Sequence, residues 1–271
     1  MKKVFELTNR YIILGTPLIL FSLLSTIYLA VSARGTVIHL LIAIILFGLM
    51  TAAFAAGWFN MVKNAILEPD REDVNSLIKD FTPGVGEYFL SSLGMIFNVM
   101  LISLLVLIIA SLLGMKIIGN PNISIEALNA AVQTPESLKV FLASLSKEQL
   151  VKINLWNILL LGAMAFNYFI EMLYLPAMFF KSKNPFIAFF IGLKDLFSRK
   201  FFTNLGIFIL LFVVYSVISI LSAAFIRSTI IHFVLTLANF YFVTCASVGV
   251  FYYYHNNFVK PQIGQNIDTR V

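Results

Sequence analysis

Hydrophobic residues dominate this chain in long uninterrupted runs, and polar residues are confined to the segments between them. Runs of about 18 or more residues without a charged side chain cover 11–33, 35–62, 88–115, 153–170, 201–226 and 228–259. Because an α-helix rises about 1.5 Å per residue, about 20 residues cross the roughly 30 Å hydrocarbon core of a bilayer. The pattern therefore predicts six transmembrane helices, at 11–32, 36–60, 88–113, 153–178, 202–226 and 230–254.

The amino-acid composition excludes a soluble fold. The chain has 271 residues, of which 60% are hydrophobic and 12% are charged, whereas soluble domains contain about 45–50% apolar and about 25% charged residues. We expect an all-α polytopic membrane bundle that forms a single transmembrane domain over 1–271. The net charge of +6 is spread along the edges of the apolar runs, which favours membrane lipid and not nucleic acid as the partner.

The basic residues predict the orientation of the chain. Of the 19 Lys and Arg residues, 13 lie on the side that carries both termini, and 6 lie on the other side: Arg34, Lys116, Lys139, Lys147, Lys152 and Arg227. Because short cytoplasmic loops are enriched in Lys and Arg, both termini are expected in the cytoplasm, with a cytoplasmic tail over 256–271. The expected location is the inner (cytoplasmic) membrane of the cell.

The outer loop, 116–152, contains signals for two short helices. Ile125, Leu128 and Val132 are spaced as one helical face, and Thr134-Pro135 is typical of an N-cap followed by a first turn. The sequence Ser146-Lys147-Glu148-Gln149 matches a capping box that begins the fourth span. We expect both short helices to lie on the outer surface.

Amphipathic segments precede the first, third and fifth spans on the inner side. Apolar residues recur at helical spacing in two of them, as Val74, Leu77, Ile78 and Phe81 in one and as Phe186, Phe189, Phe190, Leu193 and Phe197 in the other. Asn184-Pro185 supplies an N-cap and first helical position for the second segment. The first twelve residues have the same character, so we expect three such segments that lie flat in the inner interface.

Internal similarity predicts three hairpin repeats, 1–63, 70–181 and 184–260. Residues 34–39 resemble residues 227–232, with four identities at a constant offset of 193, and residues 78–81 resemble residues 193–196. Each hairpin begins and ends on the inner side. The repeats are therefore expected to be parallel and related by an axis along the membrane normal, unlike the inverted repeats of many transporters.

The sequence KDLFSRKFF at 194–202, an apolar hairpin and the final VGVFYYYH at 248–255 carry a resemblance to a known group. Together they resemble the broad bacterial and archaeal superfamily of six-span proteins that includes the membrane domain attached to some glycerophosphoryl diester phosphodiesterases and related membrane proteins. In the fused members, the phosphodiesterase activity belongs to a separate soluble barrel, for which this chain has no room. The resemblance therefore implies the six-span fold and no catalytic residue.

Motifs for enzymatic chemistry are sparse. The sequence contains no HExxH, Walker loop or GxSxG motif and no cluster of paired carboxylates in a span, and its three histidines lie near different ends of different helices. The single cysteine, Cys245, excludes an intrachain disulfide and a Cys-based metal site. We expect no enzymatic activity, no metal and no cofactor.

Glu171 is the one acidic side chain inside a predicted span. An acidic group near the bilayer centre costs at least about 2.5 kcal/mol on insertion scales, so it should be protonated, paired or hydrated. Asn157, Asn167, Tyr168 and Tyr174 share its helical face. One hypothesis is an ion, proton or substrate site centred on Glu171, and the other is interhelical hydrogen bonding that fixes the bundle.

A second candidate site lies at the two outer turns. Arg34 and His39 correspond in the repeat to Arg227 and His232, with the same separation of five residues. If the first and last hairpins are neighbours, these side chains could converge on a phosphate or an anionic headgroup. Snorkelling of the side chains to the membrane surface explains them equally well.

The sequence favours a transporter or membrane-embedded binding protein for a lipid-like or otherwise hydrophobic molecule, centred on Glu171. The alternative is a noncatalytic assembly or scaffold subunit of a membrane complex, whose cytoplasmic amphipathic helices dock a protein partner. A water-accessible cavity that reaches Glu171 would favour the transporter, whereas burial of this residue in direct protein contacts would favour the scaffold.

Overall fold

The computed structural model describes residues 2–32, 36–131 and 133–260, without the side chains at 125, 128 and 135. Every regular element in these ranges is helical. The expected apolar face of Ile125, Leu128 and Val132 lies outside the described residues and side chains, as do Arg34 and most of the tail. Short helices nevertheless form on both sides of Val132, as the loop pattern predicts.

The main helices are α1 (Lys2–Arg10), α2 (Gly15–Ser32), α3 (Val37–Leu67), α4 (Phe81–Ile117), α5 (Ile125–Ala131), α6 (Pro135–Ser144), α7 (Lys147–Glu171), α8 (Tyr174–Phe180), α9 (Pro185–Leu196), α10 (Phe201–Ala224) and α11 (Thr229–Tyr254). Two 3₁₀ helices, Ile12–Leu14 and Val74–Asp80, precede α2 and α4, and a π-helical turn, His255–Val259, follows α11.

Six helical segments are long and apolar enough to cross a membrane: Ile12–Ser32, Val37–Leu67, Val74–Ile117, Lys147–Phe180, Phe201–Ala224 and Thr229–Val259. They overlap all six predicted spans: the first and fifth match the predicted bounds to within two residues, and the second, third, fourth and sixth extend beyond them at one or both ends. The prediction of an all-α, six-span bundle is therefore confirmed. The chain is an integral, multi-pass membrane protein.

Local capping explains where several of these helices begin. The Asn184 side chain accepts hydrogen bonds from the backbone N–H groups of Phe186 and Ile187, at 3.0 and 3.2 Å, and Pro185 follows as the first residue of α9. The Thr134 hydroxyl caps α6 in the same way. Ser146 and Gln149 form the predicted capping box before α7.

The described chain forms two compact units. The larger comprises Met1–Val99 and Ile170–Val271, and the smaller comprises Met100–Phe169. Within the smaller unit, Trp156 packs against Gly114, and its indole N–H donates a 3.0 Å hydrogen bond to the Gly119 carbonyl. Gly119, two residues after the end of α4, has a φ of +80°. Glycine adopts this conformation without steric cost.

The core of the larger unit is built from the second helix of each predicted hairpin. Phe59 on α3, Phe179 on α8 and Phe251 on α11 contact one another, with ring centroids 5.5, 5.9 and 6.0 Å apart. Each of these three phenylalanines comes two or three residues after a helix-loosening Gly57, Pro176 or Gly249. The three helices therefore meet at one shared aromatic cluster.

The amphipathic segments dock onto these three helices in a regular way. Helix α1 packs on α11, the 3₁₀ helix Val74–Asp80 packs on α3, and α9 packs on α8. Glycine permits the close approach of α9, because a Cβ at Gly192 would lie 3.0 Å from backbone atoms of Leu173 and Tyr174. The protein-facing stripe of α9 is therefore Ala188, Gly192 and Leu196, and its phenylalanines at 186, 190 and 197 remain exposed.

Candidate functional site

The fourth span is interrupted next to Glu171. Helix α7 ends at Glu171, a turn covers 172 and 173, and α8 begins at Tyr174. Pro176 explains the break, since proline has no N–H to donate to the Met172 carbonyl and its ring crowds that carbonyl. The sequence predicts one continuous span here, so the discontinuity is a finding of the structure.

Tyr174 and Asn98 form a buried polar pair beside this break. Tyr174 is 1% exposed and Asn98 is 4% exposed, and the Asn98 amide donates a 3.0 Å hydrogen bond to the Tyr174 hydroxyl. The Phe189 ring packs edge-on against Tyr174, with centroids 5.5 Å apart. The Glu171 carboxylate interacts electrostatically with the Tyr174 side chain. The structure therefore brings Asn98 together with Tyr174, which lies three residues after Glu171.

Asn98 is absent from the candidates that the sequence suggests. The available signal was its position as a lone amide inside the apolar run 88–115, because an amide there needs a hydrogen-bond partner. The partner could not be identified, since Tyr174 lies 76 positions away along the chain.

The other residues of the predicted face lie in different surroundings. The Asn167 amide donates a 2.9 Å hydrogen bond to the Ser103 hydroxyl within the smaller unit. The Tyr168 side chain is 55% exposed. Asn157 is exposed at a cavity of about 390 Å³, which Trp156 and Phe141 also line. Asn157 and Glu171 are 14 residues apart, which corresponds to about 21 Å along the helix axis. A shared helical face therefore does not by itself bring these side chains together.

The outer candidates are not joined by direct contacts in the described part of the chain. Arg34 lies outside the described residues. His39 is exposed, and a 2.6 Å hydrogen bond joins its Nδ1 to the Thr36 hydroxyl. Arg227 is exposed, whereas His232 is half-buried on α11. An outer anion site at these residues stays a prediction.

A buried ionic cluster at the end of α9 connects four helices. The Asp195 carboxylate accepts hydrogen bonds from Lys181, at 2.9 Å, and from the Tyr254 hydroxyl, at 2.6 Å. The Lys181 and Asp195 side chains are only 13% and 14% exposed. The Asn204 amide also donates to the carbonyls of Asp195 and Leu196. This cluster fixes α9 against α8, α10 and α11.

A second hydrogen-bonded carboxylate lies just before α4. Asp80 accepts a 2.6 Å hydrogen bond from the Arg71 guanidinium and a 3.0 Å hydrogen bond from the Asn64 amide. The Asn60 amide donates to the Asp80 carbonyl at 2.9 Å. The hydrogen bond to Asp80 raises the pKa of Arg71 above its ordinary value, so the guanidinium stays charged at neutral pH. The repeated Lys-Asp of 79–80 and 194–195 was the signal for both clusters.

A small apolar cavity of about 170 Å³ lies among the three central helices and reaches the break in the fourth span. Its walls include Met172 and Pro176 from the break, together with Phe59 and Phe251 from the aromatic cluster. Ser247 is the hydroxyl side chain in its lining. The cavity can hold a hydrophobic group close to Glu171, although Glu171 does not itself line it.

Metal-binding chemistry is not evident in the described ranges, where no group of three or more His, Cys, Asp or Glu side chains could hold an ion. Cys245 is a half-buried free thiol. Comparison with known proteins finds no matching family model, curated protein or solved structure.

Proposed function

We propose that this chain is a transporter or membrane-embedded binding protein for a lipid-like or otherwise hydrophobic molecule, with its site centred on Glu171. The observation that carries the proposal is the helix break at Glu171–Tyr174 beside an apolar cavity. Non-helical backbone inside a span is tolerated where it lies in protein or lines a cavity, and transporters build their binding sites from such broken helices.

The cavity supports a hydrophobic ligand group of limited size. Its volume of about 170 Å³ has room for a small apolar group, and it is an open groove between the helices and not a sealed cavity. A ring or a short branched chain would fit, whereas a whole phospholipid would not. Glu171, next to Met172 of the lining, would supply the polar contact at the edge of such a site.

The test is the substitution Glu171→Gln, which keeps the shape of the side chain and removes its charge. We expect normal expression and thermal stability, together with loss of pH dependence or of turnover for a hydrophobic probe in proteoliposomes. The matched control is Glu148→Gln, because Glu148 lies on the same helix but pairs with Lys152 near its exposed first turn. A Glu171→Gln protein with the parent's binding and flux at acidic and neutral pH would contradict the proposal.

The same proposal includes three parallel hairpin repeats around an axis along the membrane normal. The shared Phe59, Phe179 and Phe251 contact supports it, as do the equivalent carboxylates Asp80 and Asp195. The packing of α1 on α11 also supports it. The second and third amphipathic segments each pack on the hairpin that precedes them, and the first segment packs on the last hairpin, so the order closes into a ring. Membership of the six-span superfamily suggested by residues 194–202 and 248–255 is part of this proposal.

A noncatalytic assembly or scaffold subunit is the second candidate. The exposed aromatic face of α9, with Phe186, Phe190 and Phe197 each more than half exposed, favours this role. A photoreactive residue in place of Phe190 would crosslink to a protein partner in native membranes if α9 docks a subunit. Crosslinking to lipid alone would contradict the scaffold role.

A further inference from the structure

A polar cavity of about 390 Å³ lies between α1, the end of α3 and the end of α11. Basic side chains reach it from both ends of the described chain, Lys3 and Arg10 from α1 and Lys260 from beyond the π-helical turn. Two carboxylates, Glu6 and Asp70, also line it, and Leu7, Ile66 and Pro69 add an apolar wall.

The charges that line this cavity do not cancel. Arg10 pairs with Asp70 at 3.6 Å, and Glu6 pairs at 3.9 Å with Lys2, which does not line the cavity. Each carboxylate therefore has its own cation. Within the described ranges no ion pair involves Lys3 or Lys260. These two ammonium groups leave an excess of positive charge that suits an anion.

His255 supplies a buried donor to the same cavity. The residue is 8% exposed, and its ring stacks on Phe180 with centroids 5.2 Å apart. Within the described residues no hydrogen bond engages its imidazole, and its ring nitrogens are not among the fully enclosed polar atoms that lack a partner. These nitrogens therefore remain accessible, and an imidazole that lines a polar cavity can donate a hydrogen bond to a ligand atom there.

The lengths of the spans place this cavity at the depth of the lipid headgroups. The segments that contain α3 and α11, Val37–Leu67 and Thr229–Val259, each have 31 residues. This length corresponds to about 46 Å of helix. The hydrocarbon core is about 30 Å thick, and the bilayer with its headgroups is about 40–45 Å thick. The ends of these helices, where Ile66 and His255 lie, therefore extend into the headgroup layer.

We infer that this cavity binds a phosphate group, held by Lys3 and Lys260 and accepting a hydrogen bond from His255. The phosphate belongs to a lipid headgroup or to a free anion, and the chemistry of recognition is the same for both. The inference goes beyond the function proposed for Glu171, because this site recognises a polar group at the membrane surface. The apolar wall formed by Leu7, Ile66 and Pro69 favours the lipid.

The test compares phosphatidic acid with diacylglycerol, which has the same chains without the phosphate, in nanodiscs that carry the full chain. Native mass spectrometry of the protein released from the nanodiscs counts the retained lipid. We expect retention of phosphatidic acid, and loss of each charge-assisted contact should weaken it about tenfold or more in Lys3→Gln and Lys260→Gln. Both lysines are exposed, so these variants should fold.

The matched control is Lys79→Gln, which removes an exposed lysine outside the cavity. Equal retention of diacylglycerol, or equal loss in Lys79→Gln, would overturn the inference. Competition by inorganic phosphate would support the site and identify the free anion as its ligand, and lack of competition would support the lipid headgroup. Glu171→Gln should leave this binding unchanged, so the two proposals can fail separately.

Discussion

The buried contact between Lys181 and Asp195 provides the sharpest test of how this bundle is stabilised. Lys181→Met removes the cation and leaves the Asp195 carboxylate, 14% exposed, with the Tyr254 hydroxyl and without a counter-charge. Asp195→Leu removes the carboxylate and leaves the ammonium group of Lys181, which is 13% exposed. The double variant replaces the ion pair by two apolar side chains.

The expected magnitudes follow from this burial. Removal of one partner from a buried ion pair costs about 3–5 kcal/mol, because the remaining charge is uncompensated, whereas an apolar replacement of both partners is often neutral. Each single variant should therefore lower the free energy of unfolding by about 3–5 kcal/mol, and the double variant should regain most of it. Tyr254→Phe should cost about 1.5–3 kcal/mol, since it removes one hydrogen bond to a charged group.

The assay is reversible unfolding in mixed micelles, which gives the free energy of unfolding of the parent, both single variants and the double variant. The exposed pair Lys2–Glu6, at 3.9 Å with side chains 93% and 60% exposed, is the control, since surface pairs contribute about 0–1 kcal/mol. If the Lys181 and Asp195 effects add to within about 0.5 kcal/mol, the two side chains are independent and the reasoning is refuted.

Two further predictions concern packing and topology. Gly84→Ala should destabilise the protein by about 1–3 kcal/mol in the same unfolding assay, because its Cβ would lie 2.9 Å from a carbonyl oxygen of α3. Gly86→Ala, on the same helix with open space around it, should not destabilise it. In a Cys245→Ala background, a cysteine at Asn129 should react with an impermeant reagent from outside, and one at Lys183 only from inside. Reaction of the Asn129 cysteine from the cytoplasm alone would reverse the proposed orientation.

The sequence by itself determined the number of membrane-spanning segments and their helical class. Hydrocarbon cannot satisfy the hydrogen bonds of the backbone, so each apolar run long enough to cross it must form a helix. The caps at Asn184, Thr134 and Ser146 could also be predicted, because each involves partners within three residues. These features depend on local chemistry and on length alone.

The tertiary structure decided which faces pack and which polar groups meet. Lipid chains are as apolar as a protein core, so the pattern of hydrophobic residues does not distinguish a buried helix face from one that contacts lipid. For this reason the sequence could not show that Ala188, Gly192 and Leu196 are the packed stripe of α9 and that Phe186 and Phe190 are exposed.

The polar contacts depend on distant parts of the chain. Asn98 meets Tyr174 across 76 positions, and Tyr254 meets Asp195 across 59. Glu171 could be identified because an acidic residue in an apolar run is conspicuous, but the break beside it required the structure, since a proline such as Pro176 can kink a membrane helix without ending it. Only the assembled helices bring these groups together, because a hydrogen bond depends on distance in space and not on separation along the chain.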